Sequence, residues 1–182
     1  MKTLHIFRHA KSGWDAPVER DFDRPINARG RRGAALIGQW AGAQGLQCDW
    51  ITASPAVRVS ETLDHFQPAA GLDHIEPHWD RRVYLASAAT LLDLVHDTAD
   101  SVDHLMLAGH NPGLEDLILM LVPDLADDVL RAAIEEKLPT SALATLTADV
   151  DHWRDFGVGK AHFVALIRPR DLDPELGPES DH

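Results

Sequence analysis

Three short apolar runs, residues 3–8, 49–53 and 102–108, each stop at a polar turn of a different kind. The first ends in Arg8-His9 and leads into Lys11-Ser12-Gly13. The second ends at Ser54-Pro55, and the third at Gly109-His110-Asn111-Pro112. Runs this short, bounded by turn residues, suit buried strands rather than helices. Between them the apolar spacing becomes helical. Ala34, Leu36, Ile37 and Trp40 form a stripe over residues 28–43, with Gly45 near its end. Ser54-Pro55 predicts a helix start, serine as cap and proline in the first helical position. Helices are also expected over residues 87–99, 114–121 and 125–137, and a short strand over 74–76. Residues 143–147 and 162–168 read as a terminal pair of strands joined through turns. Strands alternating with helices predict a three-layer α/β/α sandwich. The terminal pair makes its mostly parallel sheet a mixed one.

The chain has 182 residues, 45% of them hydrophobic, enough for one domain with a substantial core. That domain is expected over residues 1–168. Residues 169–182, rich in acids and proline, are expected to form a flexible tail. A net charge of -12 argues against attraction to nucleic acid or an anionic membrane. The charge is unevenly placed, however: residues 1–60 hold nine Lys and Arg against five Asp and Glu. A local anion site is therefore expected there. Cys48 is the single cysteine, so no intrachain disulfide can form. No apolar run approaches the ~20 residues that span a bilayer, and no signal sequence precedes the first strand. The expectation is a cytoplasmic protein.

In α/β folds ligands bind where strands end at their carboxyl edge. Arg8-His9 and His110 lie just past two such ends, and Arg58 lies in the first turns of the helix after a third. Arginine presents a planar set of donors suited to phosphate oxygens. A neutral imidazole has a nitrogen lone pair that can attack phosphorus. Taken singly, each of these residues has a plain structural explanation, such as an ion pair or a solvated helix position. Taken together, at the ends of three strands, they point to phosphoryl chemistry.

These motifs resemble the histidine phosphatase superfamily, whose members include the phosphoglycerate mutases, and most of all its SixA-like phosphohistidine phosphatase branch. The likeness rests on Phe7-Arg8-His9-Ala10, on the segment from Asp23-Arg24-Pro25 to Arg29-Gly30, and on the stretch from Ser54-Pro55 to Arg58 and Thr62. Gly109-His110-Asn111-Pro112-Gly113 and Thr140-Ser141-Ala142 complete it. It implies a phosphoglycerate mutase-like fold and a phosphatase that needs no metal or other cofactor. His9 would become transiently phosphorylated, while Arg8, Arg58 and His110 bind the phosphoryl oxygens. Ala10 departs from the glycine usual in the superfamily. Asn111 stands where one branch places an acidic proton donor.

Lys11, Ser12, Asn111 and Ser141 are further candidates to touch phosphate. Glu61, Glu76 and Asp80 are candidates for an acid or an orienting carboxylate. Ser54 is first a helix cap, and Asp23 with Arg24 either order the early loop or form a surface ion pair. The remaining histidines show no metal-ligand spacing. Lacking a secure acid, the site suits a phosphorylated protein histidine, whose leaving imidazole is weakly basic with a reference pKa of ~6.5. A small phosphorylated molecule is the alternative partner, as for a phosphomonoesterase. A phosphate-binding regulatory module without turnover is the alternative of another class. Segments 14–27 and 77–87 folded over the site would favour the small molecule.

Overall fold

The structure, a computed structural model, describes residues 1–178. Six strands form one sheet: β1 Lys2–Arg8, β2 Trp50–Ala53, β3 His78–Trp79, β4 His104–Gly109, β5 Leu143–Ala148 and β6 His162–Ile167. Their order is β3-β2-β4-β1-β5-β6. The first four are parallel, and β5 and β6 join antiparallel at the β1 side. The helices are α1 Ala28–Ala43, α2 Val57–Ala70, α3 Ala88–His96, α4 Gly113–Leu121, α5 Val129–Glu136 and α6 Pro169–Leu172. This is the expected α/β/α sandwich with a mixed, largely parallel sheet.

Side-chain alternation along the strands builds the two halves of the core. Leu4 and Ile6 of β1, with Leu105 and Leu107 of β4, face one layer, where Leu91, Leu117 and Ile134 represent α3, α4 and α5. Phe7, Met106 and Ala108 face the other, against Ile37 of α1 and Leu63 and Phe66 of α2. His5 falls on this second face, where it meets Thr145 Oγ1 and the Gln47 carbonyl at 2.9 Å each. Burial pushes its pKa from 6.5 down to about 4. Burial likewise pushes the Cys48 thiol up to about 12. Among the described residues no helix is long and apolar enough to cross a membrane.

Two expectations need correction. The strand expected over 74–76 falls at His78–Trp79, beyond Pro77, where Thr52 and Ala53 of β2 offer a parallel register. Helix α2 begins at Val57, and Ser54 is not its cap: Ala56 precedes the helix and no side chain caps it. Residues 169–178, the expected start of a flexible tail, carry secondary structure. They form α6 and a 3₁₀ turn, Pro174–Leu176, against α1. Arg32 pairs with Asp173 and Glu175, and Arg29 donates to the Gly177 carbonyl. The last four residues of the expected tail lie outside the described residues.

Helix α1 is held at its start by Asn27, whose side chain accepts from Gly30 N at 2.9 Å. Gly30 also lets the helix press on the loop after β1, because a Cβ there would collide with the Lys11 carbonyl oxygen. Gly30→Ala is therefore expected to cost about 1–3 kcal/mol of stability through that overlap. Urea unfolding of wild type and variant measures it, and an unchanged midpoint would show that the loop yields freely.

Candidate active site

Strand register, rather than loop chance, brings the two histidines together. In the β1–β4 pairing Arg8 lies opposite Gly109, so His9 and His110 leave the sheet at the same level. His9 N donates to the Gly109 carbonyl at 3.1 Å, and the two imidazole centroids are 5.4 Å apart. Ser54 continues β2 beside them and donates its N–H to the Ala108 carbonyl. Because β5 runs antiparallel to β1, its beginning meets the end of β1: Ser141 N donates to the His9 carbonyl at 3.0 Å. A pocket of about 380 Å³ opens over this edge, lined by Arg8, His9, Arg58 and His110 together with Lys11, Ser12 and Asn111. Asp21, Arg24, Leu85 and Thr140 complete it.

His9 is buried, with 8% of its surface exposed. Its Nδ1 lies 2.8 Å from the Ala10 carbonyl oxygen, which can only accept, so Nδ1 carries the proton. Burial first, then the charge of Arg8 and the neighbouring His110 and Arg58, hold its pKa well below 6.5. The ring is thus neutral at physiological pH, with a lone pair on Nε2. The Ala10 methyl packs with Ile26 and Ala34, and Ala10 N donates to Thr62 Oγ1 at 2.8 Å. The extra methyl is accommodated there.

His110 is also neutral, its pKa pushed to about 3 by burial and then by Arg58. Its Nε2 lies 2.8 Å from Ser54 Oγ, which already accepts from Ala56 N at 3.2 Å. The Ser54 hydroxyl proton has Nε2 as its acceptor, which leaves the imidazole proton on Nδ1. That buried nitrogen has no partner among the described residues. Arg8 Nε and Arg58 Nε are likewise buried without an acceptor. Buried donors left unpaired cost roughly 1–3 kcal/mol each, so three of them around one pocket imply an incoming acceptor.

The arginines are held from behind. Arg8 Nη1 donates to the Leu138 carbonyl at 2.9 Å, and Asn111 Nδ2 donates to the same oxygen at 2.8 Å. Asn111 also donates to Glu115 Oε1, which accepts from Leu138 N at 3.0 Å. Arg58, 2% exposed, gives Nη1 to the Asp21 carbonyl at 2.9 Å and Nη2 to Asp21 Oδ2 at 3.0 Å. Tyr84 donates its hydroxyl to the same carboxylate oxygen at 2.7 Å, and Arg24 Nε donates to Oδ1 at 2.9 Å. Partial burial raises the Asp21 pKa, but these donors outweigh it and bring it to about 2. Arg24 also donates to Ser12 Oγ at 2.8 Å and lies 3.9 Å from the Trp14 ring centroid.

The structure brings His9, Arg8, Arg58 and His110 together, and places Lys11, Ser12 and Asn111 around them. Ser141 lines the adjoining cavity instead. Glu61, Glu76 and Asp80 do not line the pocket. Glu61 sits among Asp64, Arg31 and His65, Glu76 is exposed, and Asp80 is engaged by Arg82 at 2.8 Å. Of the residues lining the pocket, Asp21 is the one carboxylate. Sequence reasoning missed it in favour of Asp23, which pairs with the exposed Arg20. The i,i+3 spacing of Asp21 and Arg24 on one turn was the available signal. Tyr84 and the Ser54 contact with His110 carried none. Among the described residues no group of three or more His, Cys, Asp or Glu could hold a metal ion.

Comparison with known proteins identifies the family. The profile of the histidine phosphatase superfamily (branch 1) matches residues 4–82. An uncharacterised Mycobacterium tuberculosis protein is 34% identical over 90% of this chain and 99% of its own length. The crystal structure of the assigned phosphohistidine phosphatase SixA of Agrobacterium tumefaciens superposes with a TM-score of 0.76 at 31% identity, over 92% of this chain and 98% of that one. A protein histidine phosphatase SixA complexed with tungstate shares the fold, with a TM-score of 0.75 at 21% identity over 94% and 99% of the two chains. With two neutral histidines, the buried Arg58 and the half-buried Arg8 at one sheet edge, and a solved relative matched along nearly its whole length, the chain belongs to the histidine phosphatase superfamily, in its SixA-like branch.

Proposed function

We propose that the protein hydrolyses phosphohistidine on a protein substrate through a phospho-His9 intermediate. The observation that carries this reading is the state of Asp21. It is the one carboxylate in the lining, and Tyr84, Arg24 and Arg58 keep it ionised, so it holds no proton to give at neutral pH. An alkyl phosphate leaves as a strongly basic alkoxide and needs such a donor. An imidazole, with a reference pKa of ~6.5, departs protonated from a phosphoramidate already protonated on its ring or by water. The SixA names of the relatives above point the same way.

In the first step His9 Nε2 forms a bond to phosphorus as the bond from phosphorus to the substrate imidazole breaks, its electron pair going to that leaving nitrogen. Arg8, Arg58 and the His110 Nδ1–H bind the three equatorial oxygens and stabilise the charge that develops on them. Water then attacks phospho-His9, the P–Nε2 bond breaks, and inorganic phosphate and neutral His9 are restored. The rim suits a protein rather than an enclosed metabolite. Segments 14–27 and 77–87 line the pocket through Asp21, Arg24 and Leu85 but leave its mouth open, with Trp14 and Leu85 75% and 57% exposed. A cytoplasmic setting belongs to the same proposal.

Turnover of a phosphohistidine-bearing protein is compared with that of a panel of small phosphoesters. The expected kcat/KM is at least about 100-fold higher for the protein, since the esters lack a proton donor worth that factor. Ester turnover without phosphohistidine turnover would replace this substrate by a small phosphorylated molecule. Phosphate binding with no turnover of either would leave a regulatory binding module.

A further inference from the structure

A second cavity of about 360 Å³ adjoins the phosphate pocket, and Arg8, Lys11 and Thr140 belong to both. Its cationic lining is Arg8, Lys11, Arg29, Lys137, Arg168 and Arg170, with Glu136 as the one acid. Gly33, Pro139 and Pro169 also line it, as do Leu176 and Gly177 of the C-terminal segment.

Several of these cations make no ion pair among the described residues. Arg168 is matched by Asp171 through two hydrogen bonds of 3.0 and 2.8 Å. The side chains of Lys11, Lys137 and Arg170, by contrast, make no hydrogen bond or ion pair among the described residues, and Arg170 Nε is buried without an acceptor. Arg8 donates to a neutral carbonyl, and its buried Nε also lacks an acceptor. A chain of net charge -12 has acids in excess to neutralise these groups. Yet four cations, Arg8, Lys11, Lys137 and Arg170, converge on a cavity continuous with the phosphate pocket, and among the described residues its lining offers them Glu136 alone, with Glu115 near Arg8 and Asp171 near Arg170 outside that lining. Lys11 and Lys137 are exposed, but their like charges still repel, and the buried Nε donors of Arg8 and Arg170 are costly without acceptors. Both costs are relieved by an anionic group from outside.

We propose that this cavity is a carboxylate-binding subsite, which grips an acidic side chain of the protein substrate close to its phosphohistidine. The proposal rests on the substrate reading of the preceding subsection and deepens it. Arg8 forms the wall between the two sites, so a carboxylate on one side and a phosphoryl group on the other share its guanidinium. Lys137 and Arg170, which line this cavity and not the phosphate pocket, bind the same carboxylate. The subsite selects substrates by sequence around the phosphohistidine, while the phosphoryl pocket performs the same chemistry on all of them.

Two synthetic peptides test this, each with one central phosphohistidine, flanked by glutamates in one and by glutamines in the other. Wild type is expected to show a KM about tenfold lower for the glutamate peptide at equal kcat, the worth of one charge-assisted contact. In the double variant Lys137→Gln/Arg170→Gln that preference disappears, while turnover of the glutamine peptide is unchanged and reports an intact fold. Equal KM values in wild type, or a preference that survives in the variant, overturn the subsite. If neither peptide is turned over, the substrate reading fails on its own. Fluorescence anisotropy of the same peptides on wild type then decides the subsite separately: tighter binding of the glutamate peptide retains it, and equal binding overturns it.

Discussion

His9→Ala lowers phosphate release from a phosphohistidine peptide by at least about 10⁴-fold, the scale on which loss of a covalent nucleophile acts. The expectation follows from the state of the ring. Its Nδ1 is committed to the Ala10 carbonyl, and burial keeps the imidazole neutral, so Nε2 is the atom available to attack. Alanine removes that atom and leaves Arg8, Arg58 and His110 in place to bind phosphate. The variant should therefore retain phosphate affinity while losing turnover. A brief reaction with phosphorylated peptide, quenched in alkali and read by mass spectrometry, should place one phosphoryl group on His9 in wild type and none in the variant. Phosphorylation at His110 instead would reverse the two roles. Turnover by His9→Ala within tenfold of wild type would remove the covalent mechanism.

Lowering the pH from 7.5 to 5.0 is expected to remove about 4 kcal/mol of folding stability through His5 and His110 alone. Both have an ordinary pKa of 6.5, brought in the fold to about 4 and about 3 by burial. Between the folded and unfolded values the unfolded chain binds more protons. Stability is therefore fully present above pH 6.5 and declines as the pH falls below it, by up to about 1.4 kcal/mol per unit for each histidine. His9, shifted in the same direction, adds to the loss. Domains are stable by only about 5–15 kcal/mol, so a loss of this size shows as a large drop in urea midpoint. Equal midpoints at the two pH values would mean that these imidazoles are not held neutral. The site and the stability are thus linked: the low dielectric that keeps His9 nucleophilic also makes the protein acid-labile.

What could be read from the sequence was what local periodicity and strand ends encode. Helix α1 was legible at both ends, because Ala34, Leu36, Ile37 and Trp40 recur at helical spacing and Gly45 lies near its end; the Asn27 cap emerged only from the structure. His9, Arg58 and His110 were legible because each follows a strand whose apolar run is plain. Ser54 was misread because its surroundings satisfy the rules for a cap, and its partner His110 is far away in sequence. Asp21 and Tyr84 were missed for the same reason, since their contact joins two loops 63 residues apart. The C-terminal segment looked like tail because its composition is polar. Its order comes from Arg29 and Arg32 at the far end of the chain, which no local window contains.

Main-chain pairing between β1 and β4 sets the two imidazoles, whereas the loops at residues 14–27 and 77–87 supply Asp21, Arg24 and Leu85. The reacting nitrogens and the rim therefore rest on different parts of the molecule, although Asp21 of the first loop also holds Arg58. Strand pairing tolerates no one-residue slip without turning core side chains outward, but surface loops accept substitution and insertion. During divergence the rim can be rewritten for new partners while the reacting nitrogens stay where the sheet holds them. A lineage built this way changes what it dephosphorylates far more readily than how.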